Sequence, residues 1–126
     1  MRIAVASMLF LCAVCSAQTT RNVPAQFATI QSAIAASSNG DTVLVAAGVF
    51  NESINFLGKA ITVTSSAGPG ATTIAGTAAR RVVTFATNES ALSQLVGFRI
   101  TGGLGVGGIR ILNASPTITN CEVTGN

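Results

Sequence analysis

Acid–base or metal chemistry in this chain would have to come from Asp41, Glu52, Glu89 and Glu122, because the 126-residue sequence contains no histidine. Histidine is the commonest general base near neutral pH and the commonest zinc ligand. The four carboxylates lie far apart: Asp41 after a helical stretch, Glu52 after an early strand, Glu89 in the loop Asn88-Glu89-Ser90, and Glu122 in a late repeat. No motif joins them, so the sequence assigns no catalytic, cofactor-binding or metal-ligating residue. Gly103-Leu104-Gly105-Val106-Gly107-Gly108 spells G-x-G-x-x-G, but a dinucleotide site needs a helix to follow, its N-terminus facing phosphate. Ile109-Arg110-Ile111-Leu112 reads as a strand instead, so the glycines predict a corner. Arg80-Arg81 reads as a solvated loop, with a proteolytic site or an anionic-ligand contact as alternatives. Asn51-Glu52-Ser53, Asn88-Glu89-Ser90 and Asn113-Ala114-Ser115 are glycosylation sequons, relevant only in a eukaryotic secretory route.

The N-terminus reads as an address. Met1-Arg2 gives a positive start, Ile3 to Cys15 is almost wholly apolar, and Cys15-Ser16-Ala17 supplies small residues at the positions a signal peptidase reads. This predicts a secretory signal peptide over residues 1–17. The apolar run falls short of the roughly 20 residues that cross a bilayer. A lipoprotein signal at Cys12 or Cys15 is the rival, but Leu11 and Val14 stand where a small residue is usual. Cleavage after Ala17 would leave Cys121 as the lone thiol and no internal disulfide. The chain is 48% hydrophobic, 9% charged and carries net charge +3. That suffices for one core, and no basic run interleaves with aromatics to signal nucleic acid.

The rest repeats itself. Thr73-Ile74-Ala75-Gly76, Arg99-Ile100-Thr101-Gly102 and Glu122-Val123-Thr124-Gly125 recur at offsets of 26 and 23. A second series reads Ile61-Thr62-Val63, Val83-Thr84-Phe85 and Ile109-Arg110-Ile111, with Val43-Leu44-Val45 as an earlier member. Each is apolar–polar–apolar, the pattern of a half-buried strand. Gly97 and Asn120 hold equivalent corner positions and both tolerate left-handed backbone. One unit cannot bury its apolar face, but stacked units can. The spacing therefore predicts an all-β, right-handed parallel β-helix with a short capping α-helix over Phe27–Ser38, stopped by Asn39-Gly40. The expected layout is residues 18–40 as linker and capping helix and 41–126 as about four coils of an incomplete solenoid, continued beyond Asn126 or capped by a partner. A β-sandwich is the rival fold, since short strands with Gly and Pro turns fit both. Arg99 and Glu122 fall on adjacent coils and predict an ion pair. Cys121 and the phenylalanines 27, 50, 56, 85 and 98 fall in the inward phase. With no tryptophan or tyrosine, a sugar-stacking platform is weakly supported.

Ile30-Gln31-Ser32-Ala33-Ile34, Gly40-Asp41-Thr42-Val43-Leu44-Val45-Ala46-Ala47-Gly48-Val49-Phe50-Asn51-Glu52-Ser53-Ile54 and Gly58-Lys59-Ala60-Ile61-Thr62-Val63 resemble the N-terminal coils of pectin-lyase-like parallel β-helix proteins. Gly107-Gly108-Ile109 and Ser115-Pro116-Thr117-Ile118-Thr119-Asn120-Cys121 resemble their repeat coils. Phe50 stands where the family carries tyrosine, and Leu112 where many members carry cysteine. The resemblance implies a secreted or cell-surface protein. Members include polysaccharide lyases, which hold calcium with several carboxylates, and hydrolases with clustered aspartates; others have no known chemistry. No family catalytic motif is present, so no catalytic residue carries over, and any calcium site would lie in coils beyond residue 126. The expectation is a scaffold. The alternatives are the N-terminal part of a polysaccharide lyase or glycoside hydrolase, and a glycan- or protein-binding module. The partner expected is a polysaccharide or a cell surface, with no nucleic acid and no membrane span.

Overall fold

Short polar–apolar alternations separated by glycine and asparagine corners build strands of two to four residues. A computed structural model describes residues 18–77 and 80–126; the expected signal segment 1–17, with Cys12 and Cys15, lies outside them. The chain runs β1 (Thr20–Val23), α1 (Ile30–Ala36), β2 (Thr42–Val45), β3 (Gly48–Asn51), β4 (Ile54–Asn55) and β5 (Thr62–Ser65). It continues through β6 (Thr72–Ala75), β7 (Val83–Phe85), β8 (Gln94–Val96), β9 (Arg99–Thr101), β10 (Ile109–Ile111), β11 (Thr117–Thr119) and β12 (Glu122–Val123).

These strands form three sheets ordered β1-β2-β5-β8-β11, β3-β6-β9-β12 and β4-β7-β10. Every pairing is parallel. Three successive coils each place one strand in each sheet, with β1 before them and β11 and β12 after, giving a three-sided right-handed β-helix of about four turns. Parallel pairing excludes the β-sandwich, whose sheets are antiparallel. Ile100 lies beside Val123, and Thr73 beside Arg99, as the repeat spacing predicts.

Like residues stack inward, rung on rung. Val43, Val63, Leu95 and Ile118 form one ladder, and Phe50, Ile74, Ile100 and Val123 another. Ile54, Val83 and Ile109 form a third, beside Phe56 and Phe85 with ring centroids 4.4 Å apart. Phe56, Phe85 and Phe98 are fully buried, and Phe27, Phe50 and Cys121 pack partly buried against the same core. Each buried aliphatic or aromatic side chain contributes roughly 1.5–3 kcal/mol. The corners obey the same logic. Gly97 and Asn120 have φ of 84° and 50°, and a Cβ on Gly97 would lie 2.6 Å from Ser65 Oγ.

Three expectations are corrected. The strand series Ile61-Thr62-Val63, Val83-Thr84-Phe85, Ile109-Arg110-Ile111 mixes two faces. β5 pairs with β2 and β8, whereas β7 pairs with β4 and β10. Period-2 alternation is identical on every face of the column, so it does not say which face a strand joins. The sheet also begins earlier than expected: Thr20–Val23, in the stretch read as linker, pairs with β2. The helix is shorter than Phe27–Ser38. Thr29 is its N-cap, with Ser32 completing a capping box, and Ser37 ends it in extended backbone. Ile30, Ala33 and Ile34 are its buried face, seated on the first coil.

Candidate functional site

All four carboxylates are engaged. Asp41 is buried; its oxygens accept from the backbone N–H groups of Thr19 and Ser38 at 2.9 Å each, and from Arg21 Nη2 at 3.1 Å. The Ser38 and Thr19 N–H groups and the Arg21 guanidinium hold its pKa below the ordinary value, against the opposing effect of burial. Arg21 lies in turn over the Phe27 ring, 5.9 Å from its centroid. Glu52 reaches from the turn after β3 to the start of α1 and accepts from the Ile30 and Gln31 N–H groups, each at 2.9 Å. Glu89 is buried and accepts from the N–H groups of Gly58 at 2.9 Å and Thr87 at 2.8 Å, stitching two corner loops together. Glu122 pairs with Arg99 at 3.0 Å on the exposed face, the ion pair expected from the repeat.

Lys59 completes the treatment of α1. Its ammonium donates to the carbonyls of Ile34, Ala35 and Ser37 at 2.8, 2.9 and 2.7 Å. A helix carries partial positive charge at its N-terminus and negative at its C-terminus. Here one coil supplies an anion to the first and a cation to the second. Gln31 adds a two-way clamp to the Asn55 backbone, at 3.1 and 2.7 Å.

Arg80, Arg81 and Arg110 have no acidic partner among the described residues. All three line one cleft of about 290 Å³ with Ser53, Ile54, Asn55 and Thr84. The parallel ladder builds it: Asn55 lies beside Thr84, and Thr84 beside Arg110, on the outer face of the three-stranded sheet. Rungs are about 4.8 Å apart, so these three side chains form a polar column along the solenoid axis. Arg80 and Arg81 flank it on the loop entering β7. The Arg81 guanidinium rests in a notch at Gly107, where a Cβ would lie 2.7 Å from Nη1. Gly107 also has φ of 95°. The glycine run is thus a corner, as its sequence predicts; β10 follows it. Ser53 Oγ is buried in the cleft wall with no hydrogen-bond partner.

No family model, no curated protein and no solved structure matched this chain. Among the described residues, no helix is long and apolar enough to cross a membrane. No group of three or more His, Cys, Asp or Glu side chains among them is placed to hold a metal ion.

Sequence reading singled out Arg80-Arg81 but not Arg110, Ser53, Asn55 or Thr84. Arg110 could have been found through the repeat Val83-Thr84-Phe85 to Ile109-Arg110-Ile111, which sets it beside Thr84. Ser53 and Asn55 carry no such signal, because β4 is only two residues long.

Proposed function

We propose that this chain is a secreted or cell-surface β-helix of the pectin-lyase-like kind, whose described coils act as an extracellular scaffold rather than a catalyst. The observation that carries this reading is the engagement of every carboxylate. Asp41, Glu52 and Glu89 accept from backbone N–H groups at corners and at a helix end, and Glu122 is paired with Arg99. Most glycoside hydrolases use two carboxyl groups facing one bond across roughly 5–9.5 Å. Carboxylates fixed to separate backbone turns support a structural role instead. The long stacked core, in which Cys121 is the one cysteine among the described residues and is a free thiol, suits an extended display surface, and the apolar run at residues 3–15 supports export.

Purified protein incubated with pectin, polygalacturonate and alginate, with and without calcium, should release neither unsaturated products nor new reducing ends. Release of either would overturn the scaffold reading. N-terminal sequencing of the exported protein should begin at Gln18; a lipidated cysteine at the N-terminus would replace secretion with anchoring.

A further inference from the structure

We propose that the cleft lined by Ser53, Asn55, Arg80, Arg81, Thr84 and Arg110 binds a phosphate monoester carried on a small polar molecule such as a sugar. Three arginines line it, and among the described residues no acidic side chain does. Elsewhere each described cation is matched: Arg21 by Asp41, Arg99 by Glu122, Lys59 by three carbonyls. Like charges gathered on one face repel, so the fold alone gives no reason to collect them. The same wall holds the orphaned Ser53 hydroxyl. A buried polar group without a partner is unfavourable, and a bound acceptor would satisfy it.

The charge selects the ligand. A carboxylate or a sulfate ester carries one negative charge. A phosphate monoester carries about −1.5 to −2 at pH 7 and presents three acceptor oxygens. Arginine's planar fork pairs with phosphate through two parallel N–H···O bonds. Three forks with a hydroxyl and an amide match the dianion better than a singly charged group. A cleft of about 290 Å³ lies at the small end of ligand sites, so it admits a single sugar-sized body rather than a bulky one.

The test uses one ring with three anions: glucose 6-phosphate, glucose 6-sulfate and glucuronate, titrated calorimetrically against the purified protein. Glucose 6-phosphate should bind at least about tenfold tighter than the other two at pH 7. Its affinity should fall between pH 7 and pH 5, because the second phosphate pKa is near 6, while that of the sulfate should not change. Arg81→Ala or Arg110→Ala should each weaken glucose 6-phosphate about tenfold or more. Arg99→Ala removes the same charge from another sheet and should leave binding within about twofold, because Arg99 is not in the cleft lining and its exposed charge is already paired with Glu122. Ser53→Ala should weaken binding without lowering Tm, a result a purely structural hydroxyl would not give. Equal affinity for the three anions, equal loss in Arg99→Ala, or no binding of glucose 6-phosphate would each overturn the proposal. None of these outcomes bears on the scaffold reading, which rests on the carboxylates.

Discussion

The helix-capped end and the arginine cleft treat charge in opposite ways. Around α1, each charge meets its complement: Glu52 sits at the positive end of the helix, Lys59 at the negative end, and Asp41 between two N–H groups and a guanidinium. On the three-stranded sheet, Arg80, Arg81 and Arg110 line one cleft without an acid beside them. The first arrangement lowers the free energy of the folded chain by itself. The second does so only when something anionic arrives. Charge that is locally balanced reports on folding, and charge left unbalanced on a rigid wall reports on binding.

Substitutions should separate the two regions. Asp41→Ala should have the largest effect, about 2–4 kcal/mol at pH 7. It removes a buried acceptor from two N–H groups and leaves Arg21 without its partner. The pH dependence follows from the lowered pKa. Asp41 contributes stability above its ordinary unfolded value of 3.8, and that contribution disappears as pH falls through the lower folded value. Denaturant titrations of parent and variant should therefore differ widely at neutral pH and converge in strong acid. A gap that widened on acidification would contradict the assignment.

Glu52→Ala and Lys59→Ala should come next, at about 1–2 kcal/mol each, by loss of contacts to the helix ends. Because both residues hold the same helix, the double variant should lose less than the sum. Strict additivity in a double-mutant cycle would mean that they do not act on one element. Arg99→Ala should change stability by less than about 1 kcal/mol, since both members of its pair are about half exposed. Arg110→Ala should have the smallest effect on the free protein, within about 0.5 kcal/mol and toward higher Tm, through relief of repulsion. A clear loss of stability there would place Arg110 with the structural charges and dissolve the contrast.

Much of the fold was legible because stacking repeats the same environment. The series Thr73, Arg99, Glu122 and the pair Val83, Ile109 gave true neighbours. Gly97 and Asn120 gave a true corner, with both residues at positive φ. The mixing of faces had a definite cause. Along the five-stranded sheet, Thr42 pairs with Thr62 and Thr62 with Gln94, so one coil is 20 residues long and the next 32. Loops that bulge from corners change coil length without disturbing the stack, and so a constant period fails. The cleft was less legible. Its residues come from three coils, and Ser53 precedes and Asn55 ends a strand too short to show alternation.

The sequence by itself determined the alternation that points Val43, Val63 and Ile100 inward, the residues that can turn corners, and the apolar run at the N-terminus. Those are local properties, set by the two-residue period of a strand and by which side chains tolerate positive φ. Only the tertiary structure decided which strands share a face, that Glu52 and Lys59 meet the two ends of one helix, and that Arg80, Arg81 and Arg110 share a cleft. Each of these depends on the unequal lengths of successive coils. Coil length sets which residues, some 20 to 30 apart along the chain, stand one rung apart in space.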